Sequence, residues 1–89
     1  MPTIAWFYGI AIQMYYNDHN PPHFHARYGG AKAILRISDG EIIAGRLPPT
    51  AARLLKEWAV ARRQELEHNW ECGRTAQPMQ KVAGPDGDD

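Results

Sequence analysis

Cysteine is nearly absent from this 89-residue chain: Cys72 stands alone, which excludes an internal disulfide and a Cys-x-x-Cys metal or redox motif. Long apolar runs are missing too. None approaches the roughly 20 residues that cross a bilayer, so no membrane partner is expected. Net charge is zero, with 10 Lys+Arg against 10 Asp+Glu. That balance excludes bulk coating of nucleic acid or an anionic surface, while leaving room for a local basic face. There is no phosphate-cradling glycine loop and no serine in a nucleophile elbow; Ser38, ahead of Asp39-Gly40, reads as a turn residue. No basic leader precedes the first apolar stretch, and the expected location is the cytoplasm.

What is present is 44% hydrophobic sequence, enough for one core. A chain this short buries only roughly 60% of the surface it exposes when unfolded, so a homodimer or a small partner protein is expected to share that core's edge. Residues 1–82 read as a single α+β domain, and residues 83–89 as a disordered acidic tail with little to bury.

Thr3 to Tyr16 is rich in β-branched and aromatic residues and reads as one long strand, with Ile4, Trp6, Ile10 and Ile12 on its core parity and a bend at Gly9. Gly29-Gly30 and Asp39-Gly40 are two-residue hairpin signals. Closing the first pairs Tyr28 with Ala31, Ala26 with Ala33, Phe24 with Leu35, and His23 with Arg36. Closing the second pairs Ile37 with Ile42 and Leu35 with Ala44. After Leu47-Pro48-Pro49, helical periodicity runs from Thr50 to about Cys72, with Gly73 as C-cap and the pairs Arg53/Glu57 and Arg63/Glu67 on the outer side. The predicted architecture is an antiparallel sheet of about four strands, in β-β-β-β-α order, packed on one long C-terminal helix. Gln77 to Val82 carries two apolar residues three apart and is expected to dock on the domain or on a neighbour.

Chemistry concentrates in Asp18-His19-Asn20-Pro21-Pro22-His23-Phe24-His25-Ala26. Residues two apart on a strand share a face, so Phe24 in the core throws His23 and His25 together on the other side. With His19 or Asp18 as third donor, they form a candidate site for Zn²⁺ or another divalent ion, the one cofactor this pattern suggests. Any catalytic role falls to the same four residues. The plainer alternative is a pair of hydrogen-bonded surface histidines with Asp18 capping its own turn. A second constellation, Arg27, Lys32 and Arg36 beside the histidines, is a candidate grip for RNA or another phosphate ligand. Arg36, opposite His23, favours an anion there over a metal.

The same run, with Tyr8-Gly9-Ile10, Met14-Tyr15, Asp39-Gly40-Glu41, Gly45-Arg46-Leu47-Pro48 and Asn69-Trp70, resembles the bacterial domain-of-unknown-function family 4160. The resemblance covers about residues 1 to 82 and is most specific at Asp18-His19-x-Pro21-Pro22-His23-Phe24-His25. It implies a small stand-alone protein paired with the product of a neighbouring gene, in the manner of a toxin–antitoxin module. Three functions are therefore expected to compete: a cytosolic interaction or regulatory protein using the Asp18 to His25 surface, a metal-dependent hydrolase, and a phosphate or RNA binder.

Overall fold

In the computed structural model, which describes residues 2–85, the chain makes a full turn where the sequence pattern predicts only a bend. Tyr8 and Gly9 both take positive φ, 52° and 76°. That is the backbone of a two-residue hairpin turn, with a tyrosine in a position that usually holds Asn, Asp or Gly. It folds β1 (Thr3–Phe7) onto β2 (Ile10–Gln13), so the single strand expected over Thr3 to Tyr16 is a hairpin. With β3 (His23–Tyr28), β4 (Ala31–Arg36) and β5 (Ile42–Arg46), the sheet is an antiparallel five-strand meander, one strand more than predicted. The turn also sets parity. Phe7 pairs with Ile10 and Trp6 with Ala11, which buries Phe7 and leaves Trp6 58% exposed on the outer face.

The Gly29-Gly30 hairpin has the predicted register, from Tyr28↔Ala31 through Phe24↔Leu35 to His23↔Arg36. The Asp39-Gly40 hairpin does not. Its loop spans residues 37–40, closed by Arg36 N–H donating to the Glu41 carbonyl (2.8 Å) and Gly40 N–H to the Arg36 carbonyl (2.8 Å). The Asp39 carboxylate widens this loop by accepting from the Glu41 amide and from the Arg36 guanidinium. Leu35 therefore faces Ile42, and Ile34 faces Ala44 across a bulge.

Two helices, α1 (Pro49–Ala61) and α2 (Arg63–Arg74), cover the apolar face in place of the single helix expected. One continuous stripe, Leu55, Trp58, Ala59, Leu66 and Trp70, lies buried across the break. Arg62 departs from helical geometry (φ −108°, ψ 21°), and its guanidinium donates to the Gly84 carbonyl. No glycine or proline marks that break. Gly73 is not the cap; it lies inside α2, whose C-cap is Thr75. The predicted Arg53/Glu57 and Arg63/Glu67 pairs are not formed, and Lys56 pairs with Glu41 and Arg62 with Glu65.

The segment after α2 docks on its own domain. Buried Asn69 acts as a local strand partner, donating to the Gln80 carbonyl and accepting from the Gln80 amide, both at 2.8 Å. Val82 N–H then donates to the Ile4 carbonyl (2.7 Å) on the outer edge of β1, and the Trp58 indole donates to the Ala83 carbonyl. The tail expected from residue 83 onward is thus held at Ala83 and Gly84; residues 86–89 lie outside the described residues.

Gly45 carries the tightest glycine requirement. Its φ is +80°, and a Cβ there would collide with the Lys32 carbonyl oxygen and lie 2.8 Å from the Ala33 Cα. Backbone cannot swing aside as a side chain can, so Gly45→Ala should lower unfolding free energy by about 1–3 kcal/mol. Urea denaturation followed by circular dichroism measures it, and an unchanged midpoint would refute the assigned β4–β5 register.

Candidate metal centre

Phe24 is fully buried against Trp58, ring centroids 5.8 Å apart, and this orients β3. Alternation then places His23 and His25 together on the opposite side, with ring centroids 5.2 Å apart. They are not equivalent. His23 lies at the start of β3, 4% exposed and packed against Trp70 of α2, whereas the His25 side chain is 25% exposed and meets the edge of the Tyr15 ring. The site has a closed side at His23 and an open side at His25.

The loop before β3 supplies the third group. It is pinned to α2 by Asn17 N–H donating to the Gly73 carbonyl, and to the segment after α2 by the Tyr16 hydroxyl donating to the Gln77 carbonyl. A Cβ on Gly73 would lie 3.3 Å from the Tyr15 carbonyl oxygen, so glycine permits this close approach. From the pinned loop, Asp18 reaches both histidines through one oxygen: Oδ2 is 2.9 Å from His23 Nε2 and 3.5 Å from His25 Nε2. Its other oxygen accepts from the His19 amide at 3.0 Å.

The hydrogen-bond roles at His23 decide the chemistry. The Pro21 carbonyl, 2.7 Å from Nδ1, can only accept, so Nδ1 carries a proton. Nε2 of the neutral ring then presents a lone pair to Asp18 Oδ2, which is also an acceptor. Two acceptors at 2.9 Å need a cation between them, either a second proton or a metal ion.

One donor atom from each of Asp18, His23 and His25 lies within 4.8 Å of the others, two imidazole nitrogens and a carboxylate oxygen. His19 is not in that set; its side chain is 90% exposed and its Nδ1 faces the second Asp18 oxygen at 3.3 Å. Arg36 stands across from His23 in register, but its guanidinium is forked onto Asp39 at 3.1 and 2.7 Å, so its charge is compensated away from the cluster. Arg27 and Lys32 face each other on the outer face beside His25. Gln13, absent from the sequence-based candidates, stands directly across from His25, and its buried Oε1 has no hydrogen-bond donor among the described residues. Gln13 already falls on the parity opposite Ile10 and Ile12; reading Tyr8-Gly9 as a turn was the signal that would have placed Trp6 on this face as well.

The shifts at Asp18 and at His25 both run towards the form that can act as a ligand. Burial acts to raise the Asp18 pKa, but the His19 amide, the charge on His23, and hydrogen bonds from His25 and His23 outweigh it and hold the carboxyl below its ordinary value. Burial also lowers the His25 pKa, aided by His23 and Arg27 and only partly opposed by Asp18, so His25 keeps its lone pair further into acid.

Fold and site together define a class: a small α+β meander with a His-His-carboxylate cluster where the central hairpin begins. The chain belongs to the domain-of-unknown-function family DUF4160, whose model matches residues 9–71, a span that holds the whole cluster. No curated protein and no solved structure matches it.

In metal-free protein, histidine titrations followed by NMR should give His25 a midpoint below the ordinary value of about 6.5. Asp18→Asn should lower it further, because Asp18 raises that pKa. Since the folded value lies below the unfolded one, His25's contribution to stability is full above about pH 6.5 and is lost as pH falls towards the folded midpoint. A His25 midpoint above 6.5 would contradict the burial assigned to it.

Proposed function

We propose that the protein binds a divalent transition metal, of which Zn²⁺ is the leading case, through Asp18 Oδ2, His23 Nε2 and His25 Nε2, and uses it for hydrolysis. The carrying observation is the meeting of two acceptors, His23 Nε2 and Asp18 Oδ2, at 2.9 Å with the Nδ1 proton already committed to Pro21. Two nitrogens and one oxygen on a partly open site leave a coordination position for water, the arrangement of hydrolytic rather than structural zinc. The Pro21 carbonyl plays the part that outer hydrogen bonds play at metal-binding histidines, holding ring and tautomer. Gln13 Oε1 offers an acceptor that a bound water would satisfy. The reaction that fits is ester hydrolysis, a phosphodiester being the favoured case. A divalent ion held by Asp18, His23 and His25 would supply Lewis-acid activation of water for attack on phosphorus and would stabilise the leaving oxygen as its P–O bond breaks.

Calorimetric titration with zinc chloride at neutral pH should show one ion per chain. Asp18→Asn should weaken binding roughly tenfold or more, and the His23→Ala/His25→Ala pair should abolish it. Equal heats for parent and double variant would remove the metal from this cluster.

A second proposal concerns partners. β5 is an edge strand of the sheet, mostly exposed, and Ile43 on it is 40% exposed, which supports a regulatory interaction protein that pairs there with itself or with a neighbouring gene's product, as in a toxin–antitoxin module. Light scattering should give a dimer mass that Ile43→Lys shifts to monomer; a parent that is monomeric at all concentrations and captures no such partner would end this proposal.

A further inference from the structure

The outer face of the sheet carries a row that the metal site does not use. Register places Trp6, Ala11, Arg27, Lys32 and Arg46 side by side on consecutive strands. At ~4.8 Å per strand the row is about 19 Å long. Arg27, Lys32 and Arg46 are exposed, and none is within ion-pair distance of a described carboxylate. The other charged strand residue of β4, Arg36, is compensated by Asp39, so these three cations differ from ordinary solvated pairs. The adjacent row, Thr3, Gln13, His25, Ile34 and Ala44, has no acidic residue either. Between the two rows lies a cavity of about 350 Å³ whose lining includes Tyr15, His25, Arg27, Lys32, Ile34 and Ala44. One wall of that cavity is therefore a member of the metal cluster and another is a pair of uncompensated cations.

The geometry points to a single-stranded polynucleotide as the substrate of this face, its phosphates on Arg27, Lys32 and Arg46, one base on the Trp6 ring, and one phosphodiester held in the cavity beside His25. Cations that track a backbone, combined with an exposed aromatic ring, are how non-sequence-specific single-strand binding is built. The row lies on an open sheet face, which suits a splayed strand. Strand binding stands on the row alone; delivery of a phosphodiester to a metal rests on the metal proposal above.

The test is fluorescence anisotropy with labelled 12-nucleotide RNA and DNA single strands, in EDTA so that binding is read without metal. Parent protein should bind at least one strand, with log K falling against log salt at a slope of about −2 for three phosphate contacts. Arg27→Ala/Lys32→Ala should cut that slope to about −0.7 while the protein still binds one zinc ion per chain. Trp6→Ala should weaken binding about tenfold with the salt slope unchanged. His23→Ala/His25→Ala should keep strand binding, and Lys32→Arg should restore the parental slope, which separates charge from folding. RNA binding over DNA, or the reverse, identifies the strand and supports the inference either way. No binding to either strand at low salt, or variants that bind as the parent does, overturns it even where zinc binds; strand binding without zinc binding overturns the metal centre alone.

Discussion

The imidazole of His23, strung between the Pro21 carbonyl and the Asp18 carboxylate, is the contact on which the site depends. It is short on both sides and nearly sealed from water, so its hydrogen-bond roles are not negotiable in the way a surface histidine's are. Each partner is held independently. Pro21 and Pro22 stiffen the approach to β3, with the Pro22 carbonyl taking the Ile37 amide, while Asp18 sits on a loop tied to α2. The cluster is thereby held in place by contacts of the fold itself, without a ligand to order it.

Much of this was legible from residue types. Gly29-Gly30 specifies its turn by chemistry alone, and once it closes, every pairing of β3 with β4 follows, including the shared face of His23 and His25. Phe24 as the inward ring between them was legible for the same reason. The choice between His19 and Asp18 was not. It turns on a loop whose shape is set by long-range bonds to Gly73 and Gln77, more than fifty positions away in sequence, and local patterns carry no record of such contacts.

Other features were hidden because tertiary packing overrode local preference. Tyr8 accepts a left-handed backbone that tyrosine disfavours, and the inverted parity this imposes on β1 turned Trp6 from an expected core residue into a surface one. Arg62 breaks a helix whose apolar stripe continues without interruption, since the stripe has to follow a twisted sheet and the Gly84 carbonyl rewards the departure. At Asp39-Gly40, a side chain that bonds both Arg36 and the Glu41 amide outcompetes the tighter turn that the dipeptide alone favours.

Residues 80–84, clamped by Asn69 and joined to β1 through the Val82 amide and the Ile4 carbonyl, have an effect beyond local stability. An open sheet ordinarily offers two borders, and a chain with two sticky borders can extend head to tail without limit. Here the Ile4 carbonyl on the β1 border is already taken by the Val82 amide, so a strand added at that border would first have to displace the molecule's own chain.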